Sequence, residues 1–511
     1  MTRKMNRREF IRTMVTSASV FVATRASLGD RNCAARRPNF VVIFIDDMGY
    51  GDIGPFGSTV NDTPHLDRMA REGLKLTSFY VAAPVCTPSR AALMTGCYPK
   101  RVGLHRGSWA GVLFPKDSHG LNPEEITVAK VLEEAGYATG CFGKWHLGDQ
   151  PEFLPTNHGF DYYYGIPYSN DMWPLHPYTA KWEVGPSPLP ILRNTDVIGI
   201  VKDMHDQAQL CRKFTEEAVA FIKRNQDCPF FVYLSHAYIH HPRAARREFL
   251  NRAVGRPGDA DLDLDYDRVA SDPWDYRLRE RTRAQIEEVD WSVGQVLGTL
   301  RALGLAENTL VLFTSDNGGS SGCVNKPLRG GKGSTWEGGM REPTIAWWRG
   351  TVAAGSACDE VATTMDLLPT FARLGGGKVP DDRVIDGKDI TSLLVDPKHA
   401  RSPHEAFFYY QGGSLRAVRS GPWKLHSNGS LYNLDRDIGE TRNVASEYPQ
   451  VMTRLKEDLA KCRADLDNPS KCRPVGKCPD PRYLVPRGRT RNENAAITTA
   501  LQSEVEASLP K

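Results

Sequence analysis

Residues 39–47 read Asn-Phe-Val-Val-Ile-Phe-Ile-Asp-Asp, and this stretch decides the fold class. Its first seven residues carry no charge and are mostly β-branched or aromatic, which predicts a strand over 39–45 that is buried on both faces. Strands of this kind belong to parallel sheets that are covered by helices on both sides. The two aspartates therefore stand where a buried strand ends.

Three further apolar runs are typical of the same kind of strand. They lie at 138–142, 230–234 and 310–314. Segments with helical spacing of apolar residues lie between these runs, at 126–135, 207–223 and 286–303. Strands that alternate with helices predict an α/β fold built on a large, mostly parallel sheet flanked by helices.

The pattern changes after about residue 385. Short strands separated by Gly, Pro and Asn predict a small antiparallel sheet, with strands at 406–411, 414–419, 423–426 and 430–434. A helix over 448–462 would cover one of its faces. We therefore predict a large α/β domain over 37–385, a small C-terminal α+β domain over 386–464, and a polar, Pro-containing tail over 465–511 that is loosely ordered.

We interpret the N-terminal segment as a targeting signal. Residues 6–12, Asn-Arg-Arg-Glu-Phe-Ile-Arg, resemble a bacterial twin-arginine export signal, and a mildly apolar stretch with small residues follows. We predict that 1–36 is a leader read by export machinery and that the mature protein is periplasmic or secreted. Eleven cysteines fit an oxidising compartment. The alternative is a basic N-terminal helix that stays attached.

Charge and hydropathy exclude two classes of partner. The formal charge is +4, but residues 1–37 hold nine of the 65 Lys and Arg residues and two of the 61 Asp and Glu residues, so the rest of the chain is slightly acidic. A slightly acidic chain offers no support for nucleic-acid binding. There is no run of about 18 apolar residues, so no transmembrane span is predicted.

Polar side chains follow two of the predicted strands. Asp46 and Asp47 follow the first, and Asp316 and Asn317 follow the run at 310–314. The carboxyl ends of parallel strands meet at one edge of the sheet, where ligands bind. Four hard oxygen donors at one edge suit Ca²⁺ or Mg²⁺ better than zinc. Asp and Asn also simply terminate strands, and that interpretation remains open for either pair alone.

Cationic and ionisable residues follow other predicted strands or lie in a glycine-rich loop. They are Lys144, His146, His240 and Lys332. Cations beside a hard metal ion are what an anionic tetrahedral ester requires. Any one of these residues alone is more typical of a solvated or core position, so the hypothesis depends on the set.

Residues 85–93, Val-Cys-Thr-Pro-Ser-Arg-Ala-Ala-Leu, form the most specific motif. Pro88 suits the first turn of a helix, which would place Cys86 at the helix N-terminus. There the helix dipole stabilises an anion and lowers the pKa of a thiol, and Arg90 lies one turn further on. A buried cysteine before an ordinary helix is the alternative.

Cys-x-Pro-Ser-Arg followed by Ala-Ala-Leu-Met-Thr-Gly resembles the signature of formylglycine-dependent sulfatases, within the alkaline phosphatase superfamily. Residues 143–148, Gly-Lys-Trp-His-Leu-Gly, resemble the second signature of that family. The resemblance extends over about 38–440 and is strongest to arylsulfatase A and the N-acetylgalactosamine-6-sulfatases. It implies a large mixed sheet of the alkaline phosphatase type and hydrolysis of sulfate monoesters.

The resemblance implies that a maturation enzyme oxidises Cys86 to formylglycine, which hydrates to a geminal diol. One hydroxyl attacks sulfur and the alcohol leaves; the second then loses its proton, and sulfate is released with the aldehyde restored. A serine has no second hydroxyl for that last step. The substrate class that the family implies is an aryl sulfate, another sulfated small molecule or a sulfated glycan.

The resemblance also implies residue roles. It makes Asp46, Asp47, Asp316, Asn317 and an oxygen of modified Cys86 the ligands of Ca²⁺. It makes Arg90 the group that stabilises the hydrated aldehyde and His146 the base that assists sulfate release. Lys144, Ser169, His240 and Lys332 would contact the sulfate, and either His240 or Lys332 would protonate the leaving oxygen.

Three alternatives remain from the sequence. One is a phosphonate or phosphate ester hydrolase of the same superfamily. Another is a non-catalytic sulfated-glycan-binding protein in which Cys86 stays a thiol. A hydrolase that uses the Cys86 thiol itself is the third, and it lacks a histidine at recognisable spacing.

Overall fold

The protein was analysed as a computed structural model, which describes residues 37–107, 111–172, 188–253 and 277–485 together with 493, 496, 497, 499 and 500. The predicted leader over 1–36 lies outside the described residues. So do 108–110, 173–187 and 254–276.

The strands of the described residues follow the predicted apolar runs closely. In chain order they are β1 (Asn39–Ile45), β2 (Leu74–Tyr80), β3 (His119–Gly120), β4 (Ala138–Lys144), β5 (Tyr162–Ile166), β6 (Leu189–Arg193), β7 (Asp196–Val201), β8 (Phe230–Ser235), β9 (Thr309–Ser315), β10 (Arg341–Trp347), β11 (Ser356–Cys358), β12 (Ala362–Thr363), β13 (Phe407–Gln411), β14 (Ser414–Ser420), β15 (Trp423–His426), β16 (Leu431–Asn433) and β17 (Gly476–Lys477).

The α-helices alternate with these strands in the first part of the chain. They are α1 (Pro64–Glu72), α2 (Cys86–Thr95), α3 (Val128–Glu134), α4 (Met204–Arg224), α5 (Arg247–Ala253), α6 (Leu278–Ala302), α7 (Glu337–Met340), α8 (Leu367–Gly375), α9 (Thr391–Val395) and α10 (Pro449–Leu466). The predicted helices at 126–135, 207–223 and 286–303 correspond to α3, α4 and α6.

The large sheet has eleven strands in the order β11-β2-β10-β9-β1-β8-β4-β5-β6-β7, with β12 also paired to β2. Its centre is parallel, because β1 pairs in parallel with β8 and β9, and β4 pairs in parallel with β8 and β5. Antiparallel partners lie further out, since β10 runs against β9 and β2 and β6 runs against β5 and β7. The predicted mixed, mostly parallel sheet is confirmed.

The two faces of the large sheet bury separate apolar layers, as expected for strands covered on both sides. Alternate residues of β1 show this most clearly. Val41, Ile43 and Ile45 pack into one layer with residues of α1, α4 and α6. Phe40, Val42 and Phe44 pack into the other with residues of α2, α3 and α8. This double burial holds the carboxyl end of β1 rigidly within the molecule.

The small sheet, formed by β13–β16, is antiparallel in the order β13-β14-β15-β16. Leu455 of α10 packs with Val418, Leu425 and Leu431 of this sheet, so the helix covers one face as predicted. The predicted smaller antiparallel sheet plus helix is therefore confirmed.

The prediction of a loosely ordered tail is wrong for residues 465–485. In that segment β17 pairs with β3, the amide of Cys478 donates to the carbonyl of Ser118, and Val485 is buried. Backbone pairing to a distant loop supplies the order that polar, proline-containing composition does not reveal.

The cysteines of the described part of the chain are all free thiols, including Cys462, Cys472 and Cys478 near the C-terminus. A disulfide staple among these three is therefore absent there. No helix within the described ranges combines the length and the apolar character that crossing a bilayer requires.

Candidate active site

The parallel register of β1 and β9 brings the predicted acidic residues together. Ile45 lies opposite Ser315, so Asp46 and Asp316 leave the sheet side by side, and the amide of Asp316 donates to the carbonyl of Ile45. All four predicted oxygen donors, Asp46, Asp47, Asp316 and Asn317, are buried. The structure thus assembles the pairs that the strand ends predicted.

Two oxygen atoms of this group have no hydrogen-bond partner in the described structure. They are Oδ2 of Asp47 and Oδ1 of Asn317, both buried. The Asn317 amide nitrogen donates to Asp47 Oδ1 at 2.8 Å, and the amide of Asp47 donates to Asp316 Oδ1 at 3.2 Å. Buried oxygens without partners carry a free-energy cost that a bound cation would remove.

The tightest group of possible metal-ligand atoms among the described residues belongs to Asp46, Asp47, Cys86 and His240. One atom of each lies within 4.8 Å of the others. Asp316 adjoins this group, but its Oδ2 accepts from Arg90 at 2.7 Å. The predicted ligand set and this geometric group therefore share Asp46, Asp47 and Cys86.

Cys86 is the first residue of α2, in agreement with the predicted helix N-terminus. Its Sγ lies 3.5 Å from Asp46 Oδ1 and 3.5 Å from Lys332 Nζ. Burial raises the pKa of the Cys86 thiol, and the Asp46 carboxylate raises it further. The expectation of a lowered pKa is therefore wrong, because burial outweighs the helix dipole. A thiol that stays protonated argues against a hydrolase that uses Cys86 as a thiolate.

Arg90 lies one turn beyond Cys86 and is fully buried. Its Nε and Nη2 donate to Asp316 Oδ2 at 3.1 and 2.7 Å, and its Nη1 donates to the hydroxyl of Ser235 and to the carbonyl of Lys144. Burial lowers the pKa of Arg90, but Asp316 and its other neighbours raise it overall. The guanidinium therefore stays charged and links three strand ends.

Lys144 is the last residue of β4 and points along the same edge. Its Nζ donates to Asp46 Oδ2 and, at 3.2 Å, to the hydroxyl of Ser169. Burial by itself raises the pKa of Asp46, but Lys144, His240 and Arg90 hold that pKa well below its ordinary value. Asp46 is therefore an anion within a cationic surrounding.

His146 is buried, with its Nε2 2.9 Å from the carbonyl of Leu113. A carbonyl only accepts, so Nε2 carries the proton, and Nδ1 is left with a lone pair and no partner in the described structure. Burial lowers the pKa of His146 well below its usual value, and Lys144 and Arg90 lower it further. The imidazole is therefore neutral, in the tautomer of a proton acceptor at Nδ1.

His240 faces Asp47, with 3.9 Å between Nε2 and Oδ2. Its Nδ1 lies 2.8 Å from the carbonyl of His241, 3.5 Å from the hydroxyl of Ser169 and 4.0 Å from Asp171 Oδ1. Burial and the positive charge of Lys332 lower the pKa of His240.

Lys332 reaches the site from the glycine-rich loop between β9 and α7. Its Nζ lies 2.6 Å from Asp47 Oδ1, so the loop lysine and the strand-end aspartate form a buried ion pair. Burial lowers the pKa of Lys332, but Asp47 and Cys86 raise it well above its usual value. The ammonium group is therefore charged.

A cavity of about 760 Å³ opens onto these side chains. The predicted site residues that line it are Asp47, Cys86, His146, Ser169, His240 and Lys332. Val112, Phe114 and Met172 form an apolar part of its wall. Arg90, Lys144, Asp46, Asp316 and Asn317 lie behind this surface, where they hold or neutralise the residues that face the cavity.

Several polar residues of the site were not assigned a role from the sequence, and Ser235 and Asp171 are two of them. Ser235 ends β8 and links Arg90 to the carbonyl of Lys144, and Asp171 lines the cavity beside His240. A signal existed for Ser235, because it stands at the carboxyl end of a predicted buried strand. Asp171 comes two residues after Ser169, and only the folded chain brings it beside His240.

A family model and curated relatives match most of this chain. The family model described as Sulfatase matches residues 38–377. Arylsulfatase A of Homo sapiens is 36% identical over 501 residues, which cover 88% of this chain and 91% of that protein. N-acetylgalactosamine-6-sulfatase of Mus musculus is 39% identical over 528 residues, which cover 89% of this chain and 94% of that protein.

A solved structure has the same architecture. The crystal structure of Ps i-CgsB in complex with k-i-k-neocarrahexaose superposes with a TM-score of 0.71 and 28% sequence identity. The match covers 93% of this chain and 100% of that chain, so the small sheet is part of the shared fold.

Proposed function

Because the chain belongs to the sulfatase family and is a sulfuric ester hydrolase, we propose that it cleaves sulfate monoesters through a formylglycine made from Cys86, with Ca²⁺ bound beside it. The position of Cys86 carries this proposal. Its Sγ lies 3.5 Å both from Asp46 Oδ1 and from Lys332 Nζ, at the end of a cavity of substrate size.

A hydrated formylglycine supplies one hydroxyl that attacks sulfur and a second whose deprotonation releases sulfate. The thiol it replaces is protonated in this surrounding, which supports the need for the conversion. Arg90 lies one helical turn away and would stabilise the hydrated group at position 86. Its bond to Asp316 orients that carboxylate toward the same point.

The donor set fits Ca²⁺, which prefers six to eight oxygen ligands. Asp46, Asp47, Asp316 and Asn317 would hold the ion together with an oxygen of residue 86. The buried, unpartnered Oδ2 of Asp47 and Oδ1 of Asn317 support this assignment. The ion would supply positive charge that binds and polarises a sulfate oxygen.

Three buried carboxylates, Asp46, Asp47 and Asp316, face three cations, of which Arg90 and Lys144 are buried and Lys332 is partly buried. Burial and the neighbouring Asp46 raise the pKa of Asp316 to about 7, but a divalent cation beside it would favour the carboxylate. The six charges would then balance, so the bound ion would leave the site positive. A positive site attracts a sulfate monoester and stabilises the charge that develops on its oxygens during transfer. We assign Lys144, His240 and Lys332 to sulfate binding, with the Ser169 hydroxyl as a neutral contact. His240 and Lys332 would act from the cavity wall, and Lys144 from directly behind it, beside Ser169.

We assign proton transfer to the histidines and Lys332. His146 would accept the proton during sulfate release, and its neutral state with a free lone pair at Nδ1 supports that role. His240 or Lys332 would protonate the leaving oxygen, since both line the cavity beside position 86.

The substrate we propose is an aryl sulfate or a carbohydrate sulfate. The names of the two curated relatives refer to one of each kind, and the Ps i-CgsB structure holds a sugar oligomer. Val112, Phe114 and Met172 supply an apolar wall against which an aromatic ring or the apolar face of a sugar would pack.

We also propose that a formylglycine-generating enzyme matures the chain and that export machinery delivers it to the periplasm or the medium. The twin-arginine-like sequence at 6–12 supports export, and the Cys-x-Pro-Ser-Arg motif supports maturation.

The deciding experiment is the mass of the tryptic peptide over 76–90, on protein isolated from its native host. An aldehyde or its hydrate at position 86 is expected. An unmodified thiol would overturn the mechanism and favour a protein that only binds sulfated glycans. The same preparation, assayed on 4-nitrophenyl sulfate and 4-nitrophenyl phosphate, is expected to prefer the sulfate. Preference for the phosphate would indicate the phosphate-ester alternative.

A further inference from the structure

Lys332 lies on the loop over 329–337, which is hydrogen-bonded both to the segment after β9 and to the segment before Cys86. Its backbone amide donates to the carbonyl of Gly319, and the amide of Gly333 donates to the carbonyl of Pro84. Gly319 follows the predicted metal ligands of β9, and Pro84 precedes Cys86 by two residues. The backbone amides of Lys332 and Gly333 are therefore held by residues next to the site.

The carbonyl side of the same loop is fixed from the small sheet. Gln411, the last residue of β13, donates from its Nε2 to the carbonyl of Gly333 at 2.6 Å. This side chain is partly buried, and it belongs to a strand far along the chain from the site. Gly333, the residue after Lys332, is thus hydrogen-bonded through both its amide and its carbonyl.

The base of the loop is also anchored beside the small sheet. One carboxylate oxygen of Glu440 accepts from the amide of Glu337 at 2.8 Å, and the carbonyl of Glu440 accepts from Arg329 Nη1 at 2.8 Å. Lys424 of β15 joins Glu337 and Glu440 through fully buried contacts of 2.9 and 3.0 Å. Both ends of the loop therefore rest on one rigid cluster.

Between those ends the loop contains one short turn, in which the amide and the hydroxyl of Ser334 donate to the carbonyl of Gly331 at 3.1 and 2.8 Å. Glycines stand at 330, 331 and 333, on both sides of Lys332. Glycine permits many backbone conformations, so the orientation of this turn over the site depends on the hydrogen bonds that tie it to its surroundings. One such bond is the hydrogen bond from the Gln411 side chain to the Gly333 carbonyl.

We propose that Gln411 is a positioning residue that keeps Lys332 over position 86. It acts through Gly333 and touches no reacting atom. The inference rests on the proposed function, in which Lys332 binds sulfate with its Nζ 3.5 Å from Cys86 Sγ. It gives the small sheet a part in the reaction, because small displacements of a binding group lower the rate.

Hydrogen exchange tests the geometry without turnover. The amides of Lys332 and Gly333 are hydrogen-bonded, so their exchange reports opening of the loop. In Gln411→Ala, exchange of peptides within 329–340 is expected to accelerate, with the rest of the chain unchanged. Ser414→Ala is the matched control, since Ser414 pairs with Gln411 in the same hairpin and is exposed. Unchanged exchange in Gln411→Ala would overturn the proposal.

Kinetics on 4-nitrophenyl sulfate test the consequence. In Gln411→Ala, kcat/KM is expected to fall about three- to tenfold, the range expected for one lost hydrogen bond. Gln411→Lys keeps a donor and is expected to recover most of that loss, whereas Gln411→Glu places an acceptor against a carbonyl and should not. Ser414→Ala should match the wild type.

Each outcome decides one claim. Faster exchange with unchanged kcat/KM would overturn the positioning role, as would equal losses in all three Gln411 variants. If the wild type does not hydrolyse the sulfate ester, the proposed function fails separately. The exchange rates then still support or overturn the contact between Gln411 and the loop.

Discussion

Arg90 and Asp316 form a fully buried ion pair, with Nη2 and Oδ2 2.7 Å apart, although 226 positions separate them in the chain. The pair joins the helix that begins at Cys86 to the strand end that carries the predicted metal ligands. A buried pair of this kind is costly to break from one side, because the remaining charge has no partner. It thus helps to fix the distance between Cys86, the proposed nucleophile position, and the proposed metal ligands at the end of β9.

Replacing Cys86 is expected to abolish turnover and leave the fold intact. Cys86→Ala and Cys86→Ser should each lower kcat on 4-nitrophenyl sulfate by about 10⁴ or more, because neither side chain supplies the two hydroxyls of a hydrated aldehyde. An unoxidised serine could attack sulfur but has no second hydroxyl to release sulfate, and alanine has no hydroxyl at all. The melting temperature should stay within about 3 °C of the wild type, since both residues fit the same small space. Near-normal hydrolysis by either variant would contradict the mechanism.

Replacing Asp316 is expected to weaken both Ca²⁺ binding and catalysis. Asp316→Asn removes a negative charge beside the ion and weakens the pair with Arg90. We expect about a ten- to hundredfold loss of Ca²⁺ affinity, measured by titration of the chelator-treated protein, together with a lower kcat.

The thermal shift caused by Ca²⁺ provides the control for this variant. Stabilisation by a ligand grows with its concentration relative to Kd, so the wild type should gain melting temperature at lower Ca²⁺ than Asp316→Asn. Identical Ca²⁺ dependence in the two proteins would remove Asp316 from the metal site.

Replacing Lys332 is expected to change Ca²⁺ affinity in the opposite direction. Lys332→Ala removes a cation 2.6 Å from Asp47 Oδ1, so Asp47 becomes a better ligand and Ca²⁺ should bind more tightly. At the same time kcat/KM should fall about 10²- to 10³-fold, because a group that binds sulfate is lost. With Ca²⁺ bound, the melting temperature should change little. A large loss there would make Lys332 structural.

Replacing His146 is expected to slow sulfate release more than the first chemical step. His146→Ala removes the proton acceptor at Nδ1, and acid–base groups typically contribute about 10²- to 10⁴-fold to a rate. Rapid mixing with 4-nitrophenyl sulfate should therefore show one fast release of nitrophenol per protein molecule, followed by slow turnover. A uniformly slow reaction without the initial release would assign His146 to the first step instead.

Much of the site was predictable from where polar residues stand relative to apolar runs. Asp46, Asp47, Asp316 and Asn317 follow β1 and β9, and parallel strands that pair in register must end together. Strand ends, the glycine-rich loop and the motif at 85–93 singled out six more residues, and the family resemblance gave them roles and added Ser169. The six are Cys86, Arg90, Lys144, His146, His240 and Lys332, and all seven residues lie around one cavity or directly behind it.

The protonation of the site was predicted less well. A helix N-terminus favours a thiolate, but Cys86 is enclosed by protein and lies near Asp46, so its pKa is raised. The tautomer of His146 likewise depends on the carbonyl of Leu113, 33 residues away. Desolvation and electrostatic interactions depend on distances in the folded protein, and the local sequence does not reveal those distances.

The sequence by itself determined the elements and the chemistry they bring. Buried β-branched runs must pair, helices between them must cover the sheet, and the polar residues at strand ends must share an edge. Only the tertiary structure decided that Gln411 holds the loop of Lys332 and that residues 476–477 pair with β3. Such contacts depend on how the small sheet and the C-terminal segment pack against the large domain. That packing is determined by the shapes of whole surfaces.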